Sequence, residues 1–196
     1  LAYYPGTGLP EHFNGRFFLC DFRGGPANSG VRTFKLKPKG ASFELVDAEQ
    51  SFWSVLATDV EFGPDGSVYI SDWVNGWNGE GKGRLYRFFD PQSQASAEAV
   101  STREILAVGV DGKSPESLKE LLNHPDRRGR VEAQWKLASL QSLDPLQAHA
   151  NDKGKIDTIR LHGIWGLGQI ARVAKGDVAT KAQAALKNLL KDEAPW

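Results

Sequence analysis

The sequence predicts an α+β chain in two domains: a partial β-propeller of about two antiparallel blades, followed by a HEAT-like α-solenoid. Three observations predict it. Residues 1–92 are rich in Gly, Pro and aromatics, whereas residues 113–193 are rich in Ala, Leu and Lys at helical spacing. One unit recurs in the first part at an offset of about fifty residues, a period typical of propeller blades. Another recurs in the second part, from Arg130 to Arg160. The domains are therefore expected at 1–92 and 113–196. Between them lies a connecting segment, 93–112, whose stretch QSQASAEAVSTRE (92–104) is polar and low in aromatics.

The blade unit is clearest in TDVEFGPDGSVYISDW (58–73). Val60 and Phe62 alternate with polar positions, and Gly63-Pro64-Asp65-Gly66 carries turn chemistry. The β-branched and aromatic run 67–71 then reads as a strand, so the stretch is a hairpin; an EF-hand loop would instead lead into a helix. FNGRFFLCDF (13–22) repeats the pattern, with Gly15 and Asp21 matching Gly66 and Asp72 at the same six-residue spacing. A Gly-rich loop and a further strand follow each copy, VRTFKLK and RLYRFF. FFLC and VYI are apolar runs of the kind a strand buried on both faces needs. A propeller closes with four or more blades, so about two blades, in a chain without methionine, predict a piece of a longer protein.

In the second part, RVEAQWKLASL (130–140) and RLHGIWGLGQI (160–170) match position by position. Each Trp lies four residues after an apolar position, which puts Trp135 and Trp165 on an expected core face. Ser114-Pro115 and Asp144-Pro145 read as cap-then-Pro helix starts. Arg130 and Arg160 are expected in inter-repeat salt bridges or cap contacts. Gly163, Gly166 and Gly168 within one helix cost stability, which predicts close approach of a neighbouring helix.

The 24 basic and 24 acidic residues cancel, so nothing in the balance suggests a nucleic-acid or anionic-membrane partner. The sequence has no apolar run long enough to span a bilayer. With Cys20 as the only cysteine, no internal disulfide can form. No nucleophile elbow, phosphate loop or dinucleotide fingerprint occurs. His124 and His162 lack metal-ligand spacing and read as structural.

Candidate site residues follow from the hairpin. If 62 pairs near 67 or 68, then Asp59, Asp72, Trp73, Asn75, Trp77 and Arg84 gather at the open end, with Asp21 and Arg23 alike in the neighbouring blade. Carboxylates with loop carbonyls would suit calcium, a cation that prefers oxygen, and Asp59 is the proposed metal contact. Trp73 and Trp77 could stack a sugar or a flat cofactor. The competing reading has Asp21 and Asp72 bonding backbone amides in their loops, and the tryptophans covering the blade.

YYPGTGLPEHFNGRFFLCDFRGG, FGPDGSVYISDWVNGWNGEGKGRLYRF and HPDRRGRVEAQWKLA…RLHGIWGLGQIAR together resemble a family of large proteins of Planctomycetes and Verrucomicrobia described as membrane-bound dehydrogenases. The resemblance covers nearly the whole chain. It implies a propeller similar to soluble glucose and sorbosone dehydrogenases, then HEAT-like repeats, then a cytochrome c domain. It also implies an exported or periplasmic protein, with PQQ and calcium as cofactors. The chain departs from that pattern in two ways. It carries no CxxCH haem motif, because Cys20 is followed by Asp-Phe-Arg. Nor does His12 fall on the family's catalytic His, so no catalytic residue is assigned. Two functions remain open. One is a segment of a PQQ-type dehydrogenase that oxidises a sugar or alcohol and passes electrons to the cytochrome c domain. The other is a non-enzymatic scaffold that binds a glycan or a protein.

Overall fold

The structure, a computed structural model, describes residues 1–74 and 81–193. Asn75 and Trp77 lie outside the described residues. The chain divides into two compact units, Leu1–Arg103 and Glu104–Trp196.

The first unit opens with four antiparallel strands in sequence order, β1 (Ala2–Tyr3), β2 (Phe17–Asp21), β3 (Gly30–Lys39) and β4 (Ser42–Trp53). A second antiparallel sheet holds β5 (Ala57–Phe62), β6 (Val68–Asp72) and β7 (Arg84–Phe88). The stretch 58–73 is the hairpin that its turn residues dictate, with Phe62 paired to Val68. Asp65 Oδ1 accepts from the Ser67 amide at 3.1 Å, and Gly66 supplies the positive φ of +79°. Phe18, Val31, Val60, Val68 and Ile70 of the two sheets share one core. Aromatic rings join the sheets there: Phe18 meets Phe62 edge-on at 4.9 Å, and Phe52 meets Phe88 at 4.6 Å.

This arrangement overturns the expected partial propeller. Among the described residues there are two open antiparallel sheets, of four and three strands, and neither is closed. The reason lies in the pleat. Gly15 and Gly66 both adopt positive φ, and Asp21 and Asp72 both end their strands. Yet β2 buries Phe18, three residues after its glycine, while β6 buries Val68 and Ile70, two and four residues after its own. Successive side chains alternate faces, so a shift of one residue turns the whole strand over. The two copies share spacing and present opposite faces, which is why Asp21 is not the equivalent of Asp72.

Two helices follow β7. Asp90 caps α1 (Pro91–Gln94), its carboxylate accepting from the Ser93 amide at 2.6 Å. Within the stretch expected to connect the domains, α2 (Ala97–Val108) buries Ala99, Thr102 and Ile105.

The second unit continues with α3 (Pro115–Leu121), α4 (Arg127–Ser139), α5 (Leu143–Asn151), α6 (Asp157–Val173) and α7 (Gly176–Leu189). Ser114 caps α3 through the Ser117 amide, with Pro115 in its first turn. Asp126 caps α4 through the Arg128 amide. The Asp144-Pro145 pair lies inside α5, which begins at Leu143. The expected HEAT-like solenoid is overturned as well. Stacked repeats touch only their neighbours. Here Leu118 of α3, Leu137 of α4, Leu146 of α5, Leu167 of α6 and Ala182 of α7 meet in one core.

The α6 glycines serve different purposes. A Cβ at Gly163 would lie 2.6 Å from the Leu146 carbonyl oxygen and 2.7 Å from the Ala150 nitrogen, and one at Gly166 would lie 2.5 Å from the Leu146 side chain. α5 therefore packs backbone-close on α6, as the glycines predicted. At Gly168 an added Cβ meets nothing within 4 Å. Gly163→Ala should accordingly cost about 2 kcal/mol by overpacking, while Gly168→Ala should add roughly 0.5–1 kcal/mol of stability through helix propensity. Denaturant unfolding of both variants measures the contrast, and equal effects would contradict the packing.

Candidate functional site

Strand register decides what gathers at the open end of the three-stranded sheet. Asp72 pairs with Ala57 on one side and Arg84 on the other, and Asp59 pairs with Ser71. All three charged residues thus stand at the end away from the 63–66 turn. Asp72 and Arg84, paired with each other, share a face that Asp59 does not. Residues paired across a sheet share a face, so Asp59 lies on the face of Ser71 and opposite that of Asp72.

Asp72 is buried, and its Oδ1 accepts from the amides of Leu56 at 3.1 Å and Val74 at 2.8 Å. With Trp73 N donating to Leu56 O at 3.0 Å, this carboxylate ties the start of the β6–β7 loop to the start of β5. It also supports the left-handed backbone of Val74, whose φ is +76°. Asp59 is exposed and accepts from the adjacent Val60 amide. Trp73 is 42% exposed, and Arg84 donates to the Tyr86 hydroxyl at 3.3 Å. Asp59 and Asp72, on opposite faces, do not make a shared calcium site. Among the described residues, no group of three or more His, Cys, Asp or Glu could hold a metal ion.

Asp21 is engaged differently. It sits between Arg23 Nε at 2.8 Å and Arg32 Nε at 2.6 Å, and Arg32 also stacks over the Trp53 ring. The Arg23 and Arg32 hydrogen bonds pull its carboxyl down to about 2. A depressed carboxyl stabilises the fold at pH values above its unfolded pKa of about 3.9, and that contribution disappears as pH falls through the folded value. The stability difference between wild type and Asp21→Asn should therefore be constant above about pH 5 and shrink toward zero near pH 2. Parallel urea titrations across that range test it, and a gap unchanged at acid pH would refute the pairing.

Sequence reasoning missed two further clusters. Glu49 Oε1 receives His12 Nε2 at 2.6 Å, Thr33 Oγ1 at 3.0 Å and Ser51 Oγ at 3.1 Å, with Arg16 Nη1 at 3.5 Å. Burial pushes Glu49 up, but these bonds and the Arg16 charge outweigh it and hold its carboxyl below the ordinary value. The second cluster lies between α4 and α6. His162 Nδ1 meets Gln134 Oε1 at 2.7 Å, and Gln134 Nε2 donates to Gln169 Oε1 at 3.2 Å. Burial, with the nearby Arg130 charge, lowers His162 to about 4, so the ring is neutral near pH 7. The ring packs edge-on against Trp165 at 5.3 Å.

The expectation that Trp135 and Trp165 belong to the core is also corrected. They are 55% and 51% exposed. Val131 and Trp135 do recur at helical spacing, but α4 turns Ala133, Leu137 and Ala138 inward, and α6 turns Leu167 and Ile170 inward. Both helices thus carry apolar residues on more than one side, and periodicity alone does not say which side is covered. Arg160 fulfils its expected cap role, donating to the Ala150 carbonyl at the end of α5 at 3.0 and 3.1 Å. No family model, characterised protein or solved structure matches this chain.

Proposed function

We propose that the chain is a non-catalytic binding module whose contact face is the Trp135–Trp165 side of the helical unit. The observation that carries this reading is the exposure of two indoles at matching positions of an internal repeat, each more than half open to solvent. Covering the open half of one such ring on a ligand is worth about 2 kcal/mol at ~25 cal/mol per Å². A dehydrogenase segment using PQQ and calcium would draw instead on Asp59, Asp72, Arg84, Asp21 and Arg23. Asp72 is committed to two backbone amides and Asp21 to two guanidinium groups, which favours the scaffold over the enzyme.

Glycan and peptide arrays probed with the wild type and with the Trp135→Ala/Trp165→Ala double variant test the proposal. Circular dichroism would establish that the variant is folded. Ligands held by the wild type and lost by the variant support the reading. Binding indifferent to both tryptophans, or no binding above the variant, overturns it.

A further inference from the structure

The two sheets of the first unit differ in their outer faces. Each buries one face in the shared core, Phe18 and Val31 on one sheet, Val60, Val68 and Ile70 on the other. Residues paired across strands share a face, and so do residues two apart along a strand. On the three-stranded sheet the outer rows are therefore Glu61–Tyr69–Arg87 and Asp59–Ser71–Leu85, mostly polar, as a solvated face should be. On the four-stranded sheet they include Tyr3–Phe17–Phe34, Leu36–Leu45 and Pro38–Phe43, which are aromatic or aliphatic throughout. The rings form a ladder, with Tyr3 4.8 Å from Phe17 and Phe17 stacked at 5.5 Å on Phe34. In the β3–β4 hairpin the charges take the opposite face, where Lys35, Lys37 and Lys39 alternate with Leu36 and Pro38, and Lys39 lies 3.5 Å from Glu44.

The apolar outer face is open. Tyr3, Leu19, Leu36, Leu45 and Phe43 are between 39% and 64% exposed. Together they leave about 450 Å² of side chain uncovered, the size of patch that on a folded chain is often functional. Two such faces laid together remove about 900 Å² from these side chains alone. Half-buried Phe17 and Phe34 and the polar rim bring the pair into the ~1,200–2,000 Å² of a stable interface. The free edge of β4 offers a poorer contact. Two register shifts interrupt its ladder with β3, and Asp47 takes φ +53°, which blunts the edge. Two β4 strands paired edge to edge would also set Glu44, Asp47 and Glu49 against carboxylates of their own kind.

We infer that the outer face of the four-stranded sheet binds a second copy of this chain, face to face, in a two-fold dimer. A two-fold contact lays one patch on itself, so the patch must be self-complementary. Uncharged rows meet that demand, because no like charges are brought together. A pleated face is covered well by another pleated face, about 10 Å away with interdigitated side chains. The inner face of this same sheet is covered in that way, Phe18 meeting Phe62 at 4.9 Å. The three-stranded sheet cannot supply the second cover. Its inner face is already used, and its outer face carries Asp59, Glu61 and Arg87. The matching surface is therefore the same face of another copy. Arg32 and Asp21, bound to each other at 2.6 Å, form a polar rim at the Leu19 end. The contact uses neither Trp135 nor Trp165.

Sedimentation velocity of the full chain from about 1 to about 200 μM tests this, with a dimer of Kd about 10 μM expected. Phe43→Lys/Leu45→Lys should weaken pairing at least about a hundredfold and leave monomer throughout the range. Both side chains are exposed, so circular dichroism and urea unfolding should find the variant folded. Lys37→Glu, on the opposite face of the same hairpin, should leave the Kd within about threefold. NMR on a mixture of isotope-labelled and unlabelled wild-type chains should show intermolecular contacts among the Tyr3, Phe17 and Phe43 rings. A wild-type chain that stays monomeric across the whole range overturns the inference. So does a dimer that keeps its Kd in Phe43→Lys/Leu45→Lys. A dimer lost instead in Trp135→Ala/Trp165→Ala places the contact on the helical unit and overturns it as well.

Discussion

A single methyl group at Gly8 is expected to destabilise the β unit by about 3–5 kcal/mol, combining overpacking with the strain of a left-handed non-glycine residue. Gly8 has φ +100°, and a Cβ there would lie 2.3 Å from Gly66 Cα and 2.5 Å from the Gly66 carbonyl oxygen. Both groups belong to backbone, so no side chain can swing aside. Gly66 meets the same obstacle from its own side, with Gly8 Cα 2.7 Å from an added Cβ. The loop before β2 and the β5–β6 turn therefore touch main chain to main chain, possible only because both residues are glycine. Gly15→Ala is the control. Its φ is +75° with nothing within 4 Å of an added Cβ, so it should cost only the conformational term of about 1 kcal/mol. Urea unfolding of the variants measures the difference. A Gly8→Ala cost no larger than that of Gly15→Ala would remove the contact from the account.

The second large effect is expected from Asp192→Ala, at about 3–5 kcal/mol. Arg160 and Asp192 are 4% and 9% exposed and meet at 2.5 Å through Nη2 and Oδ2, while Arg160 also holds the Ala150 carbonyl. Removing the carboxylate leaves a guanidinium charge where water cannot compensate it. Arg160→Met/Asp192→Leu, which removes both charges and keeps the volume, should recover most of the loss. Asp111→Ala breaks the Lys136–Asp111 pair, in which Asp111 is 92% exposed, and should leave the midpoint unchanged within error. Guanidinium or thermal unfolding of the set decides it. A double variant no more stable than Asp192→Ala would show that the site tolerates neither arrangement.

Local chemistry was legible where a few neighbouring residues decide the outcome. Gly63-Pro64-Asp65-Gly66 sets a hairpin because φ limits and the Asp65 side chain act within four residues. Ser114-Pro115 sets a helix start for the same kind of reason. The hairpin then fixes that Asp59, Asp72 and Arg84 share one sheet end, since register counts outward from the turn. The glycines of α6 told of a close neighbour because a mid-helix glycine has a cost that packing must offset, and Gly163 and Gly166 meet one.

What the tertiary structure alone decided concerns faces and distant partners. Equal Gly-to-Asp spacing in β2 and β6 suggested equivalent blades, but the pleat has a period of two, and the core took opposite faces of the two strands. Asp72 is therefore a buried loop clamp and Asp21 a surface carboxylate between arginines. α4 and α6 each carry apolar residues on more than one side, and in α4 Ala133, Leu137 and Ala138 went inward because α3, α5 and α6 pack against it. Trp135 and Trp165 were left facing solvent. Arg160 finds Asp192, and Glu49 finds His12, across separations of thirty-two and thirty-seven residues. A sequence fixes periodicity, caps and turns through neighbours in the chain; which stripe is buried and which charges meet depends on what the rest of the fold brings against them.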